Sequence, residues 1–155
     1  MNFWLFKSEP DAYSIDDLKS EPNGIGRWDG IRNYQARNLL RDQIKQDDMV
    51  LFYHSSCKQV GIAGCAKVVS PPYPDPLQFN PESKYYDPKS DHENPRWCCL
   101  DIQYQAHAKS FTSLKEIKAT TVLENMVLIK QGRLSIQPVT KSEWDCLIKL
   151  TKMFE

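Results

Sequence analysis

Short apolar blocks broken by turn residues dominate the chain, and they predict strands more often than helices. Phe3-Trp4-Leu5-Phe6 is such a block; with Lys7 it reads as a strand over Phe3 to Lys7, closed by Ser8-Glu9-Pro10. Ser14 caps a short helix over Ile15 to Lys19, with Asp16 and Asp17 near its positive end. Glu21 to Gly30 reads as a Pro/Gly loop carrying Trp28. A second helix begins at Asn33, with Leu39, Leu40 and Ile44 apolar and Arg37 and Arg41 on a shared face. Met49 to His54 is a strongly apolar strand, and Val60 to Val69 reads as its antiparallel partner. Gly61 and Gly64 mark a bulge or a close backbone approach there.

The second half changes character. Ser70 to Pro95 holds seven of the ten prolines (Pro71, Pro72, Pro74, Pro76, Pro81, Pro88, Pro95) together with Tyr73, Tyr85 and Tyr86. That is too much proline for a helix or central strand and too much tyrosine for a disordered linker. The expectation is a long ordered loop laid over a barrel, and loops of that length are commonly functional. Trp97 to His107 alternates as a long strand, and Ser113 to Glu116 is a capping box opening a short helix. Met126 to Ile129 and Leu134 to Ile136 read as the last strand pieces. Thr140 to Glu143 is a second capping box, before a helix that sets Trp144, Leu147, Ile148 and Thr151 on one face. The sum is an α+β chain of about five or six strands with short flanking helices.

Composition narrows the function. Hydrophobic content of 41% and charged content of 26% are those of a globular domain, and 155 residues suffice for one real core. No apolar run approaches the roughly 20 residues that cross a bilayer. Met1 to Lys7 lacks a basic start and cleavage site, so an intracellular protein is expected, cytoplasmic in a prokaryote and nuclear in a eukaryote. Cys57, Cys65, Cys98, Cys99 and Cys146 are odd in number and include no C-x-x-C pair, so free thiols are expected and no metal site. Lysine plus arginine equals aspartate plus glutamate, twenty each. A protein that holds nucleic acid by phosphate neutralisation carries a basic excess, so strong non-specific binding is disfavoured. A pocket that reads one base remains compatible.

Four polar segments stand where elements begin or end: Lys7-Ser8-Glu9-Pro10, Trp28 to Asn33, Tyr53-His54-Ser55, and Arg133 to Pro138. In a small barrel such ends can converge at one mouth. These segments resemble the EVE-domain family. The resemblance continues through Gly61-Ile62-Ala63-Gly64, Tyr73-Pro74-Asp75-Pro76, Tyr85-Tyr86-Asp87 and Pro95-Arg96-Trp97, in order over nearly the whole chain. One conservative departure is Ile31, where the family more often has Val. The resemblance implies a single EVE domain over residues 1–155, a PUA-like pseudobarrel related to YTH and ASCH domains. It further implies a reader of a modified cytosine, in DNA rather than RNA, with no cofactor.

The residue types suit that task. An extruded base costs a few kcal/mol to flip, and aromatic stacking returns roughly 1–3 kcal/mol per base. Trp28, Tyr73 and Trp97 are candidates to stack. Lys7, Ser8, Asn33, His54, Ser55 and Ser135 can hydrogen-bond a base edge, and Arg32 and Arg133 can clamp a phosphate. Glu9, Gly30 and Tyr53 complete the candidate pocket, and Arg37 and Arg41 are candidate phosphate contacts outside it. Structural alternatives stand beside each: Arg32 paired with Asp29, Glu9 capping a turn, His54 closing a strand, Arg133 buttressing the last strand. An RNA-binding PUA-like domain or a small-molecule adaptor are the other binding readings. The enzymatic one would use His54 as base with Cys57 and Glu9, but no triad, phosphate-loop or metal signature accompanies it, so no catalytic residue is expected.

Overall fold

The computed structural model describes residues 1–155. Seven strands form one mixed sheet: β1 (Phe3–Ser8), β2 (Ile25–Trp28), β3 (Met49–His54), β4 (Gly61–Val68), β5 (Tyr73–Pro74), β6 (Cys98–Ser113) and β7 (Ile136–Val139). Their order is β2-β6-β4-β3-β1-β7, with the two-residue β5 added beside β6. β1 and β3 are parallel and every other pair is antiparallel. Five helices accompany them: α1 (Ile15–Ser20), α2 (Tyr34–Asp42), α3 (Leu114–Lys118), α4 (Val127–Lys130) and α5 (Lys141–Thr151).

The period-2 pattern of the strands sorts side chains to two faces, and each face has its own core. Trp4, Phe6, Val50, Phe52, Ala66, Val68, Leu100, Ile102 and Ile136 belong to one cluster, closed by α1 and α2 through Leu18 and Leu40. Leu5, Leu51, Tyr53 and Cys65 point the other way, into a cluster covered by Ile117, Leu123, Leu128, Trp144 and Leu147 from the C-terminal third. Trp144 stacks on Phe3, ring centroids 4.7 Å apart, which docks α5 on the start of β1. Both capping boxes form, at Ser113 with Glu116 and at Thr140 with Glu143. Such a cap contributes about 1 kcal/mol to each helix.

The sheet curls. β6 is 16 residues long; its first part pairs β2 and β5, and the rest pairs β4 through two register shifts. Gly64 sits at one shift, where an added Cβ would stand 2.5 Å from the Ala106 carbonyl oxygen, so only glycine lets the strands approach. The curl carries β2, at one end of the strand order, back over β1: the Trp28 ring lies 5.2 Å from Phe6 and 5.4 Å from Phe52. The result is an open barrel whose two edges, β2 and β7, flank the same mouth.

Several boundaries differ from those the sequence predicts. Glu21 to Gly30 is not a plain loop: after a 3-10 turn over Pro22–Gly24 it forms β2, paired to β6. Met126 to Ile129 is not a strand; Val127–Lys130 is a single helical turn, closed by Lys130 N–H to Met126 O and Gln131 N–H to Val127 O, and it sets Met126 and Ile129, three residues apart, against the outer core. The last strand begins at Ile136, and β6 continues six residues past His107 to Ser113. The proline-rich segment is ordered, holding β5 and a 3-10 turn over Pro76–Phe79.

Candidate nucleic-acid interface

A cleft of about 790 Å³ opens between the two sheet edges. The end of β1 supplies Lys7, Ser8 and Glu9, and the end of β2 with its following loop supplies Arg27 to Arg32. Ser135 enters from just before β7, Tyr13 and Glu21 from either side of α1, and Lys84 and Tyr85 from the proline-rich segment. The cleft is polar at its rim and aromatic within, the composition of a site for a small planar ligand.

Trp28 is only 6% exposed, wedged among Phe6, Phe52 and Tyr13, so it forms the floor and offers little ring face. Tyr13 donates to Glu21 Oε1 at 3.2 Å, and burial with the Glu21 charge pushes its hydroxyl well above the usual phenol range. Tyr85 is half-buried, and its ring lies where a Cβ on Gly30 would stand, 2.8 Å away. Gly30 has φ +78°, so its backbone also favours glycine.

Cations outnumber anions around the cleft: Lys7, Arg27, Arg32 and Lys84 against Glu9, Glu21 and Asp29. Arg27 and Asp29 pair at 2.8 Å in a partly exposed bridge. Lys7 donates from Nζ to the Gly132 carbonyl, tying β1 to the loop before β7, and burial holds its pKa below the ordinary lysine range. Arg32 is braced on three sides: Nε to Tyr85 O at 3.0 Å, Nη1 to Ile31 O at 2.8 Å, and Nη1 to the fully buried Asp75 at 3.0 Å. The Tyr85 and Trp97 rings each lie 5.4 Å from its guanidinium carbon.

Seven candidates from the sequence thus meet here: Lys7, Ser8, Glu9, Trp28, Gly30, Arg32 and Ser135. Seven others do not reach the cleft. Asn33 is the N-cap of α2, accepting from Ala36 N–H. Tyr53 is buried in the outer core beneath Lys7. Ser55 follows β3, its N–H bonded to Ser8 O. Tyr73 donates to Asp101 at 2.6 Å. Trp97, 5% exposed, donates to Asp87 and stacks on Tyr34. Arg133 is exposed beside the mouth. His54 lines a different cavity of about 720 Å³ with Cys57 and His107, while Glu9 stays in the main cleft. Of the outlying arginines, Arg37 donates to Arg96 O and lies over Tyr34, and Arg41 pairs with its neighbour Asp42 on the surface.

Sequence reasoning missed Tyr13, Glu21, Arg27, Lys84 and Tyr85. Tyr85 carried a visible signal, an aromatic in an ordered proline-rich segment. Glu21 and Lys84 carried none, because only the curl of the sheet and the path of the loop bring them in.

A curled mixed sheet with an aromatic-floored cleft between its edges defines a PUA-like domain. The chain belongs to the EVE domain family, whose model matches residues 2–150. It is 43% identical to human thymocyte nuclear protein 1, over 95% of this chain and 72% of that protein. Its fold matches the crystal structure of human THYN1 protein in complex with 5-methylcytosine-containing DNA at a TM-score of 0.94, with 41% identity and full coverage of both chains. A YTH domain from Zygosaccharomyces rouxii, solved in complex with N6-methyladenosine RNA, shares the fold at a TM-score of 0.56 and 13% identity, covering 99% of this chain and 90% of that one. No helix is long and apolar enough to cross a membrane.

Proposed function

We propose that this protein binds DNA containing 5-methylcytosine and receives the modified base, extruded from the duplex, in the cleft between β1, β2 and β7. The cleft itself carries the reading: about 790 Å³, floored by Trp28, walled by Tyr13 and Tyr85, and rimmed by hydrogen-bonding groups and a small cationic majority. A base leaving the stack costs a few kcal/mol, which ring contacts of roughly 1–3 kcal/mol offset in part. Edge hydrogen bonds from Ser8, Glu9 and Ser135 recognise the extruded base as cytosine, and apolar contact with its 5-methyl group supplies the discrimination against unmodified cytosine. The likeness to human THYN1 protein supports both the ligand class and DNA over RNA.

The balanced charge fits a reader that depends on its pocket. With twenty basic and twenty acidic residues, the duplex backbone contributes little, so affinity for unmodified DNA stays low. A binding role also suits the groups that an enzyme would need. His54 Nε2 already accepts from Ile15 N–H at 3.1 Å, and the Cys57 thiol donates to Gln59 O. By extension from the thymocyte nuclear relatives, the protein works in the nucleus of a eukaryotic cell, or in the cytoplasm of a prokaryotic one. Fluorescence titration at fixed salt, with matched duplexes carrying cytosine or 5-methylcytosine, tests the proposal. Tighter binding of the modified duplex by about tenfold or more is expected from burial of the one added methyl group. Equal affinities would overturn it.

A further inference from the structure

Asp75 caps the 3-10 turn over Pro76–Phe79 in the proline-rich segment and has no exposed surface. Its carboxylate does more than cap. Oδ1 accepts from Leu77 N–H at 2.8 Å, the local bond. Oδ2 accepts from Gly30 N–H at 2.9 Å and from Arg32 Nη1 at 3.0 Å, 45 and 43 residues away in sequence. Both partners line the cleft; Asp75 does not. A neutral Asn or Ser would cap the turn equally well. A buried carboxylate costs several kcal/mol in lost hydration unless a countercharge compensates it, so the charge here answers to Arg32 and not to the turn.

Arg32 in turn has one unused donor atom. Nε and Nη1 are bonded to Tyr85 O, Ile31 O and Asp75, while Nη2 is buried without any acceptor. Buried polar groups are paired in the great majority of cases, and an unpaired one marks a place where a partner arrives or strain is held. Two rings flank this guanidinium, Tyr85 and Trp97, and only Tyr85 lines the cleft. Arg32 and Tyr85 line the cleft side by side, so an acceptor bound there would reach Nη2 past the half-buried Tyr85 side chain.

We propose that Asp75 is a positioning residue for ligand binding: through Gly30 N–H and the Arg32 guanidinium it holds Nη2 ready for an oxygen acceptor on the bound nucleotide. The inference rests on the reading of the cleft as a nucleotide site. The acceptor is a base carbonyl or a phosphate oxygen, and the two differ in what they do to free-nucleoside binding and to salt dependence.

The test is a double-mutant cycle on binding. Dissociation constants for methylated and unmethylated duplexes are measured at several salt concentrations for the wild type, Asp75→Asn, Arg32→Ala and the double variant, with a melting curve for each. Asp75→Asn is expected to weaken binding of the methylated duplex about tenfold or more, the scale of one charge-assisted hydrogen bond. The same change in the Arg32→Ala background is expected to leave affinity within about a factor of two, since interacting sites are non-additive. Equal losses in both backgrounds would overturn the proposal. Arg32→Lys guards against a misfolded alanine variant: it keeps a charge beside Asp75 and removes Nη2. Loss of binding by the folded Arg32→Lys protein supports the proposal, and wild-type affinity in that variant overturns it.

The source of the oxygen follows from two further readings, each of which sustains the proposal. A phosphate contact lowers the salt slope by about one on Arg32→Ala with selectivity intact. A base contact instead lowers affinity for the free nucleoside 5-methyl-2′-deoxycytidine together with that for the duplex, and leaves the slope unchanged. Failure of the wild type to discriminate between the duplexes would instead remove the modified-base reading, while the cycle on the remaining affinity still judges Asp75.

Discussion

The ring of Tyr85 occupies the space beside Gly30 that any side chain would need: a Cβ there would lie 2.8 Å from Tyr85 Cζ. Because φ at Gly30 is +78°, alanine is also strained in the backbone, by about 1–3 kcal/mol. Gly30→Ala is therefore expected to lower the melting temperature by several degrees and to weaken binding of methylated DNA by about tenfold or more, as the wall is pushed out of line. Melting curves and titration check both. Unchanged affinity would show that the Tyr85 wall does not contribute.

β1 and β3 were legible as short apolar blocks and β6 as an alternating run, and the capping residues Ser14, Asn33, Ser113 and Thr140 all perform the role their spacing predicts. β2 was hidden because Ile25-Gly-Arg-Trp28 is four residues long and sits among Pro22, Gly24 and Gly30, so local turn chemistry outweighs the pairing signal from β6. Val127–Lys130 shows the opposite error: a short apolar run reads equally well as strand or helix, and only its packing decides. For the site, half of the candidates converge because they end strands that the curl brings together. Trp97 and Tyr73 do not, because each spends its polar group on a half-buried carboxylate partner, Asp87 and Asp101, in the packing of the proline-rich segment. Nothing in a linear pattern reports such a partner.

Asp48 joins the N-terminus to the first core. Its carboxylate, 2% exposed, accepts from Trp4 Nε1 at 2.9 Å, Lys45 N–H at 3.0 Å and Asn2 N–H at 2.9 Å. Asp48→Ala leaves three donors short of an acceptor at once. A stability loss of about 3 kcal/mol or more is expected in urea unfolding, with the m-value unchanged. A loss below about 1 kcal/mol would mean that water reaches these donors.

His54 gives the protein a mild acid sensitivity. Burial is the main cause lowering its pKa from the ordinary 6.5; His107 lowers it further, and Asp16 and Asp17 act in the opposite direction. Its Nε2 accepts from Ile15 N–H, a bond that protonation abolishes. The folded value is depressed, so the unfolded chain takes the proton first. The stabilisation is complete above pH 6.5 and declines as pH falls through the lower folded value. His54→Gln is expected to flatten the stability profile between about pH 7 and 5. A wild-type profile already flat in that window would contradict the assignment.

Four of the five thiols are expected to separate by reactivity. Cys65 and Cys99 are buried, and burial pushes each to about 12, leaving almost no thiolate at neutral pH. Cys57 and Cys146 are partly exposed. Iodoacetamide with mass-spectrometric readout should modify Cys57 and Cys146 in the native protein, and Cys65 and Cys99 only on unfolding. Early labelling of Cys65 would place a large opening of β4 in the native ensemble.

One cleft, between the two edges of a curled sheet, is expected to receive the modified base. The most direct test is an NMR titration that follows the Trp28 indole N–H and the amides of Ser8, Gly30 and Ser135 as 5-methylcytosine duplex is added. These four signals should shift together and saturate with the methylated duplex, and move little at the same concentration of unmethylated DNA. Shifts confined to the His54 cavity, or identical responses to the two duplexes, would contradict the account.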